Sequence, residues 1–435
     1  MLINRIAKQL YSSNKALAND SFWALFGSIV GRGLSLVAGI IIARYLGKEI
    51  YGEYGIVKNT LAYIAIVSTF GFGYSATKFV ATYIKQCNSR VYSLCKSIET
   101  ITLIFSLILT VLCTLFASPI AHIIKAPHLE SPLRIFSCMI LFNALDATQI
   151  GILSGLKRFK DTAYLNCVSG VSLFVFSWIG TSVWGLNGAI AALLGSFAVQ
   201  AVIGQYLINR FITNNPHDKA DDIIGRNDIK EMLSFSLPIA LQESLYAIVH
   251  WLGIVILTRY ASYGEVGLSS AAGVWFSVVI FIPGVLKNVM FSHLSSAENH
   301  RALVKRLLAI NLITTLIPVV IVILFSSFIA RFYGPTFSDL PKVLNVYMLG
   351  ALFVCLSEVY CYEYISIGKP WTVFISRFSR DCFILVLSWI LVRNADSSQA
   401  YWMAIASLCG SALYLAILMS IYHHSIKKHN NPLHE

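Results

Sequence analysis

Phe22-Trp-Ala-Leu-Phe-Gly-Ser-Ile-Val-Gly-Arg-Gly-Leu-Ser-Leu-Val-Ala-Gly-Ile-Ile-Ile42 is an apolar stretch with a single guanidinium, Arg32, at its centre. Wound as a helix, about twenty such residues cross a hydrocarbon core of roughly 30 Å. A guanidinium at mid-depth costs roughly 2.5–3.5 kcal/mol on insertion scales, so a paired acid, a water-filled cavity or a bound anion must offset it. Lys58 follows inside the next hydrophobic segment and Lys287 inside a later one. A membrane protein that keeps several cations below its surface is built to handle negative charge.

The rest of the chain repeats the first stretch. Its 435 residues are 57% hydrophobic and 12% charged, with a mean hydropathy of +0.69. A soluble domain carries about 25% charged residues. Runs of spanning length fall at 22–42, 54–74, 98–117, 133–153, 163–183, 188–208, 233–257, 268–290, 304–324, 343–365, 372–391 and 401–422. The pattern predicts twelve transmembrane helices and leaves no connection long enough for a soluble domain. The longest connection, 209–230, is polar and carries Asp218, Asp221 and Asp222.

The formal charge of +12 would suit nucleic acid if it were gathered on one face, but it is spread by topology. With the N-terminus inside, twenty of the 33 Lys and Arg residues fall on inner loops and tails, and seven on outer loops. The positive-inside rule therefore places both termini in the cytoplasm and predicts no nucleic-acid partner. The basic start, Leu2–Leu17, reads as a short amphipathic helix on the inner face, followed by an uncleaved first span. Nine cysteines, scattered and without CxxC spacing, predict neither a disulfide framework nor a metal site. Walker, HExxH and GxSxG patterns are lacking, so no cofactor, no nucleotide and no catalytic residue is expected.

The chain is also doubled. Tyr51-Gly-Glu-Tyr-Gly55 returns as Tyr263-Gly-Glu-Val-Gly267, the basic turn at Lys157 returns at Lys369, and Asp146 maps onto Glu358, each 212 residues later. Three matches at one offset indicate duplication. Six spans per copy is an even number, so the copies share one orientation and an axis along the membrane normal. The expected fold is all-α and integral to the membrane: twelve helices in two pseudo-symmetric six-helix lobes, 1–208 and 231–435, joined by a cytoplasmic linker at 209–230.

Ala43-Arg-Tyr-Leu-Gly-Lys-Glu-Ile-Tyr-Gly-Glu-Tyr-Gly55, followed by Thr69-Phe-Gly-Phe-Gly-Tyr-Ser-Ala-Thr-Lys78, resembles the first two helices of polysaccharide-biosynthesis membrane proteins. These are the Wzx-type O-antigen flippases of the multidrug/oligosaccharidyl-lipid/polysaccharide exporter superfamily. The resemblance implies a multi-pass protein of the bacterial inner membrane serving lipopolysaccharide or related polysaccharide biosynthesis. Its substrate would be an undecaprenyl-diphosphate-linked oligosaccharide turned from the inner to the outer leaflet. Its partners would be membrane lipid and the polymerase and glycosyltransferases of the pathway. Rival readings are a drug or cation exporter of the same superfamily and an integral-membrane glycan polymerase. Cations inside the spans argue against the first, and the lack of a large outer loop argues against the second.

The charged positions sort by depth. Arg32, Lys58, Lys287 and Arg380 are the candidate substrate-binding cations, since Arg and Lys can hold the oxygens of a diphosphate. Arg377 has Asp381 at i+4 and is expected to pair with it, leaving Arg380 freer. The alternatives are a structural ion pair for Arg32 and snorkelling for the lysines. Among submerged acids, Glu243 and His250 fall on one face of span seven with Tyr246, which suits a proton relay. Asp146 and Glu358, matched by the repeat, are the second pair of ion-coupling candidates, against a bland role as polar glue between helices. Gly27, Gly31, Ser35 and Gly39 form a small-residue stripe expected to pack closely against another helix.

Overall fold

The computed structural model describes residues 2–86, 91–214, 226–281, 283–284, 290, 294, 300–367 and 369–429. All of its regular structure there is helical, and the fold is that of an all-α membrane protein. In chain order the α-helices are α1 (Leu2–Thr69), α2 (Phe72–Gln86), α3 (Val91–Leu115), α4 (Ala117–Ile123), α5 (Glu130–Ile135), α6 (Met139–Gly155) and α7 (Phe159–Asn214). They continue as α8 (Arg226–Tyr260), α9 (Tyr263–Val279), α10 (His300–Leu324), α11 (Ser326–Tyr333), α12 (Leu340–Ser366), α13 (Pro370–Asn394) and α14 (Gln399–His429).

Eight helical runs among the described residues are long and apolar enough to cross a bilayer. Two of them, Leu25–Ile84 and Phe159–Ile212, run 60 and 54 residues. Each is two spans, because about twenty residues suffice for one. The reversal inside α1 is made at Gly47 (φ 70°) and that inside α7 at Gly185 (φ 57°). Such φ values are open to glycine and cost a side-chain-bearing residue. The expected second span, 54–74, is broken where Phe70 and Gly71 both take positive φ, so a new helix, α2, starts at Phe72.

By internal contact the chain divides into two compact units: Met1–Tyr45 with Ile56–Trp251, and Leu46–Gly55 with Leu252–Glu435. Their element order repeats. A 25-residue helix (α3, α10) is followed by a short one (α4, α11), then a Pro-started 3-10 turn (Pro127–Leu129, Pro335–Phe337), then a long inner helix (α5–α6, α12). Both 25-residue helices turn an apolar stripe outward: Ile104, Ile108 and Leu115 on α3, Ile313, Ile317 and Leu324 on α10. That matched pattern suits lipid contact.

In the first unit, Phe72, Val80, Leu94, Ile98, Ile152 and Leu165 form the core. A Cβ on Gly27 or Gly31 would enter Ala163 or the carbonyl of Asn166, so the small-residue stripe of α1 serves the close approach of α7. Gly73 and Gly151 serve the same purpose between α2 and α6. In the second unit, Tyr360, Cys361, Tyr364, Val373, Tyr414 and Leu418 form the core.

The duplicated motif has a tertiary meaning. Segment 46–55 belongs to the second unit, and there the two copies of the motif cross. Gly52 lies against the Tyr263 carbonyl, Gly267 against the Lys48 carbonyl, and Gly264 N–H donates to Glu49 Oε2 at 2.6 Å. The Lys48 N–H donates to Thr336 Oγ1 at 3.2 Å, and Tyr51 packs between Tyr54, Tyr333 and Phe337. The glycines recur because two backbones approach at both copies.

Candidate functional site

The second unit holds the most fully defined charged cluster, built by three helices. α12 supplies Glu358 and Cys361, one turn apart; α13 supplies Arg377, Arg380 and Asp381; α14 supplies Tyr414. Arg377 Nη2 donates to Glu358 Oε1 at 2.7 Å, with about a third of each side chain exposed. Arg380 binds Asp381 Oδ1 through Nε at 2.8 Å and Nη2 at 2.7 Å, and its guanidinium lies 4.9 Å from the Tyr414 ring centroid. The Tyr414 hydroxyl and Cys361 Sγ share a hydrogen bond of 2.9 Å.

This corrects the expected pairing. Arg377 pairs with Glu358 and not with Asp381, and Arg380 is clamped and not free. A guanidinium stem reaches an acid on a neighbouring helix as readily as one on its own, and α12 brings Glu358 to Arg377. Two cations against two anions make the cluster neutral as it stands. An anion entering it would compete with the carboxylates for guanidinium donors, whereas a cation would compete for the carboxylates.

In the first unit Arg32 is exposed on α1 and Lys58 is half-buried. Glu243 is half-buried on α8. His250 lies two helical turns further on, roughly 10 Å along the axis. The His250 ring lies tilted against Tyr246, centroids 3.9 Å apart, and 6.1 Å from Tyr63, while its Nδ1 meets the Tyr246 carbonyl at 2.9 Å. Direct proton exchange between Glu243 and His250 therefore needs an intermediary. Lys287 lies outside the described residues, as do 215–225 of the expected linker.

Asp146 and Glu358 occupy matching helices but differ in chemistry. Asp146 is only 5% exposed, and among the described residues neither carboxylate oxygen has a hydrogen-bond partner. A buried polar group left unbonded costs ~1–3 kcal/mol. Asp146→Leu should therefore leave the thermal stability of the purified protein unchanged or raise it. A clear drop in melting temperature would mean that Asp146 holds the fold through a bond of its own.

Sequence reasoning missed a polar cluster on α3, α6 and α7. Gln205 Nε2 donates to Glu99 Oε2 at 3.3 Å and to Asn209 Oδ1 at 3.2 Å, while Gln205 Oε1 accepts from Gln149 Nε2 at 3.2 Å. Thr102 and Thr148, both fully buried, share a hydrogen bond of 3.1 Å. A pocket of about 220 Å³ opens beside it, lined by Lys96, Glu99, Gln205 and Asn209 among others. Glu99 stands within a single apolar helix, one turn after Lys96; that spacing was the available signal.

The build is that of a doubled all-α, multi-pass membrane protein with paired ions inside its spans. The chain belongs to the polysaccharide biosynthesis protein family, whose profile matches residues 17–286. It is 23% identical over 309 residues to an uncharacterized membrane protein of Methanocaldococcus jannaschii, covering 64% of this chain and 72% of that one. It is 22% identical to the EPS I polysaccharide export inner membrane protein EpsE of Ralstonia solanacearum (63% of this chain, 62% of that one). Identity to the succinoglycan biosynthesis transport protein ExoT of Rhizobium meliloti is also 22% (61% and 50%). The chain thus spans less than two thirds of the two polysaccharide-export relatives. Among solved structures, its fold is similar to an inward-facing multidrug resistance MATE family transporter of the MOP superfamily, with TM-score 0.76, 16% identity and 95% and 99% of the two chains covered. It is also similar to the lipid II flippase MurJ in an inward closed conformation, with TM-score 0.70, 18% identity and 92% and 87% covered.

Proposed function

We propose that this protein moves a polyprenyl-diphosphate-linked oligosaccharide, of the O-antigen repeat-unit kind, from the inner to the outer leaflet of a bacterial inner membrane. It would act as a transporter and not as an enzyme, by alternating access of two six-span lobes, 1–208 and 231–435, with 209–230 and both termini in the cytoplasm. The observation that carries the reading is the set of cations kept inside apolar spans of a polysaccharide-biosynthesis family member. Arg32, Lys58, Lys287 and, on exchanging Asp381 for phosphate, Arg380 would take the diphosphate oxygens in turn, and the lipid tail would stay in the bilayer. A cation exporter of similar fold would have to carry its cargo past the same charges. Movement in one direction would draw on an ion gradient, with Asp146, Glu358, Glu243 and His250 as the protonatable groups.

The test is complementation of a flippase-deficient strain. Arg32→Ala removes a charge-assisted contact worth ~1.5–3 kcal/mol, so net translocation should fall roughly 10- to 100-fold with the protein still in the membrane. Arg32→Lys should keep part of the activity, because the charge survives and the bidentate fork does not. Full complementation by Arg32→Ala would make Arg32 a structural residue and remove it from the transport path.

A further inference from the structure

Away from the charged positions above, the first unit has an open groove of about 550 Å³ between α2 and the start of α8. It is lined by Lys78, Phe79, Lys230, Glu231, Ser234 and Phe235. Its two walls are held together. The buried hydroxyls of Ser75 and Ser236 lie 2.6 Å apart, and the Phe79 and Phe235 rings meet edge to face at 5.9 Å. The Lys78 ammonium sits 3.8 Å from the Phe235 centroid and 5.3 Å from that of Phe79. Ring faces therefore hold this cation over the groove.

Among the described residues neither the Lys78 nor the Lys230 ammonium forms an ion pair or a hydrogen bond, and Glu231 pairs with neither. Two ammonium groups and the Ser234 hydroxyl offer donors to anionic oxygens, and two phenyl rings offer an apolar floor to methylene groups. That combination matches a phosphate carried on a hydrocarbon chain. Basic pockets between transmembrane helices on the cytoplasmic side bind lipid head groups in this way. The charge count puts both lysines on that side.

We propose that the α2–α8 groove binds the phosphate-bearing headgroup of a lipid through Lys78, Lys230 and Ser234. The chemistry has two sources, an anionic bilayer lipid or the diphosphate of a polyprenyl carrier. Only the second rests on the transport reading.

The experiment titrates purified full-length protein in neutral phosphatidylcholine nanodiscs with cardiolipin and, separately, with undecaprenyl diphosphate. The variants are K78Q/K230Q, the charge-keeping K78R/K230R, and K305Q/R306Q as a control for lost charge elsewhere. Two surface cations should be worth about 10- to 30-fold in affinity, with a shallower salt dependence. The double Gln variant should lose that much for at least one probe, while the double Arg variant keeps binding and the control changes it less than about 2-fold. Loss confined to cardiolipin assigns the groove to a bilayer lipid. Loss for undecaprenyl diphosphate, alone or with cardiolipin, makes it a loading site for the carrier. Equal affinities for wild type and K78Q/K230Q with both probes, or equal losses in the control, overturn the proposal. Because binding is read without translocation, that result leaves the Arg32 experiment standing, and failure of the Arg32 experiment leaves the cardiolipin arm standing.

Discussion

Gly52→Leu should destabilise the second unit and abolish whatever movement it supports. The Cβ it adds would fall on the backbone carbonyl of Tyr263, and a Cβ at Gly267 would fall on that of Lys48. Backbone atoms cannot rotate out of the way as a side chain can, so the two copies of the motif must separate. Overpacking a fitted site costs ~1–3 kcal/mol, which corresponds to roughly 2–12 °C in melting temperature for a unit of this size. Gly273→Ala, on the same helix as Gly267 and with nothing within 4 Å of the added Cβ, is the control. It should be neutral or slightly stabilising, since alanine fits a helix better than glycine by roughly 0.5–1 kcal/mol. If Gly52→Leu melts with wild type, the crossing of the motifs is not a tight contact.

The second large effect is expected at Glu358. Glu358→Ala leaves the Arg377 guanidinium without the carboxylate 2.7 Å away, among the packed side chains of α12, α13 and α14. Breaking a fully buried pair costs ~3–5 kcal/mol; with a third of each side chain exposed, ~1–2 kcal/mol is the appropriate scale. Replacing both partners by apolar residues, Glu358→Leu with Arg377→Met, should restore most of that stability, because no uncompensated charge remains. Transport should not return with it if the pair takes part in moving an anion. A double-mutant cycle on melting temperature reads the coupling directly. Losses that simply add would show that the two groups do not depend on each other.

This protein's sequence alone determined its class. Apolar runs of one length, a charge bias between alternate loops and a 212-residue repeat lead to a doubled twelve-span bundle, because hydrophobic length and loop charge are one-dimensional properties. The resemblance of 43–55 and 69–78 led to the family that the profile match establishes. The small-residue stripe of α1 was legible for the same reason, since a helical period fixes a face.

Tertiary structure alone decided the partners. The i+4 rule joined Arg377 to Asp381 because it sees one helix, while in the folded unit Glu358 arrives from α12 and Asp381 goes to Arg380. Repeat symmetry made Asp146 and Glu358 equivalents, yet one lies buried and, among the described residues, unbonded and the other is ion-paired, since the position that matches Arg377 at the 212-residue offset is Leu165. The Gln205 cluster joins Glu99 of α3 and Gln149 of α6 to Gln205 and Asn209 of α7; the i+4 spacing links only the last two, and no local period brings the three helices together. The Tyr-Gly-Glu motif was visible as a repeat, but that its two copies meet, and so need their glycines, depends on helices more than two hundred residues apart folding against one another.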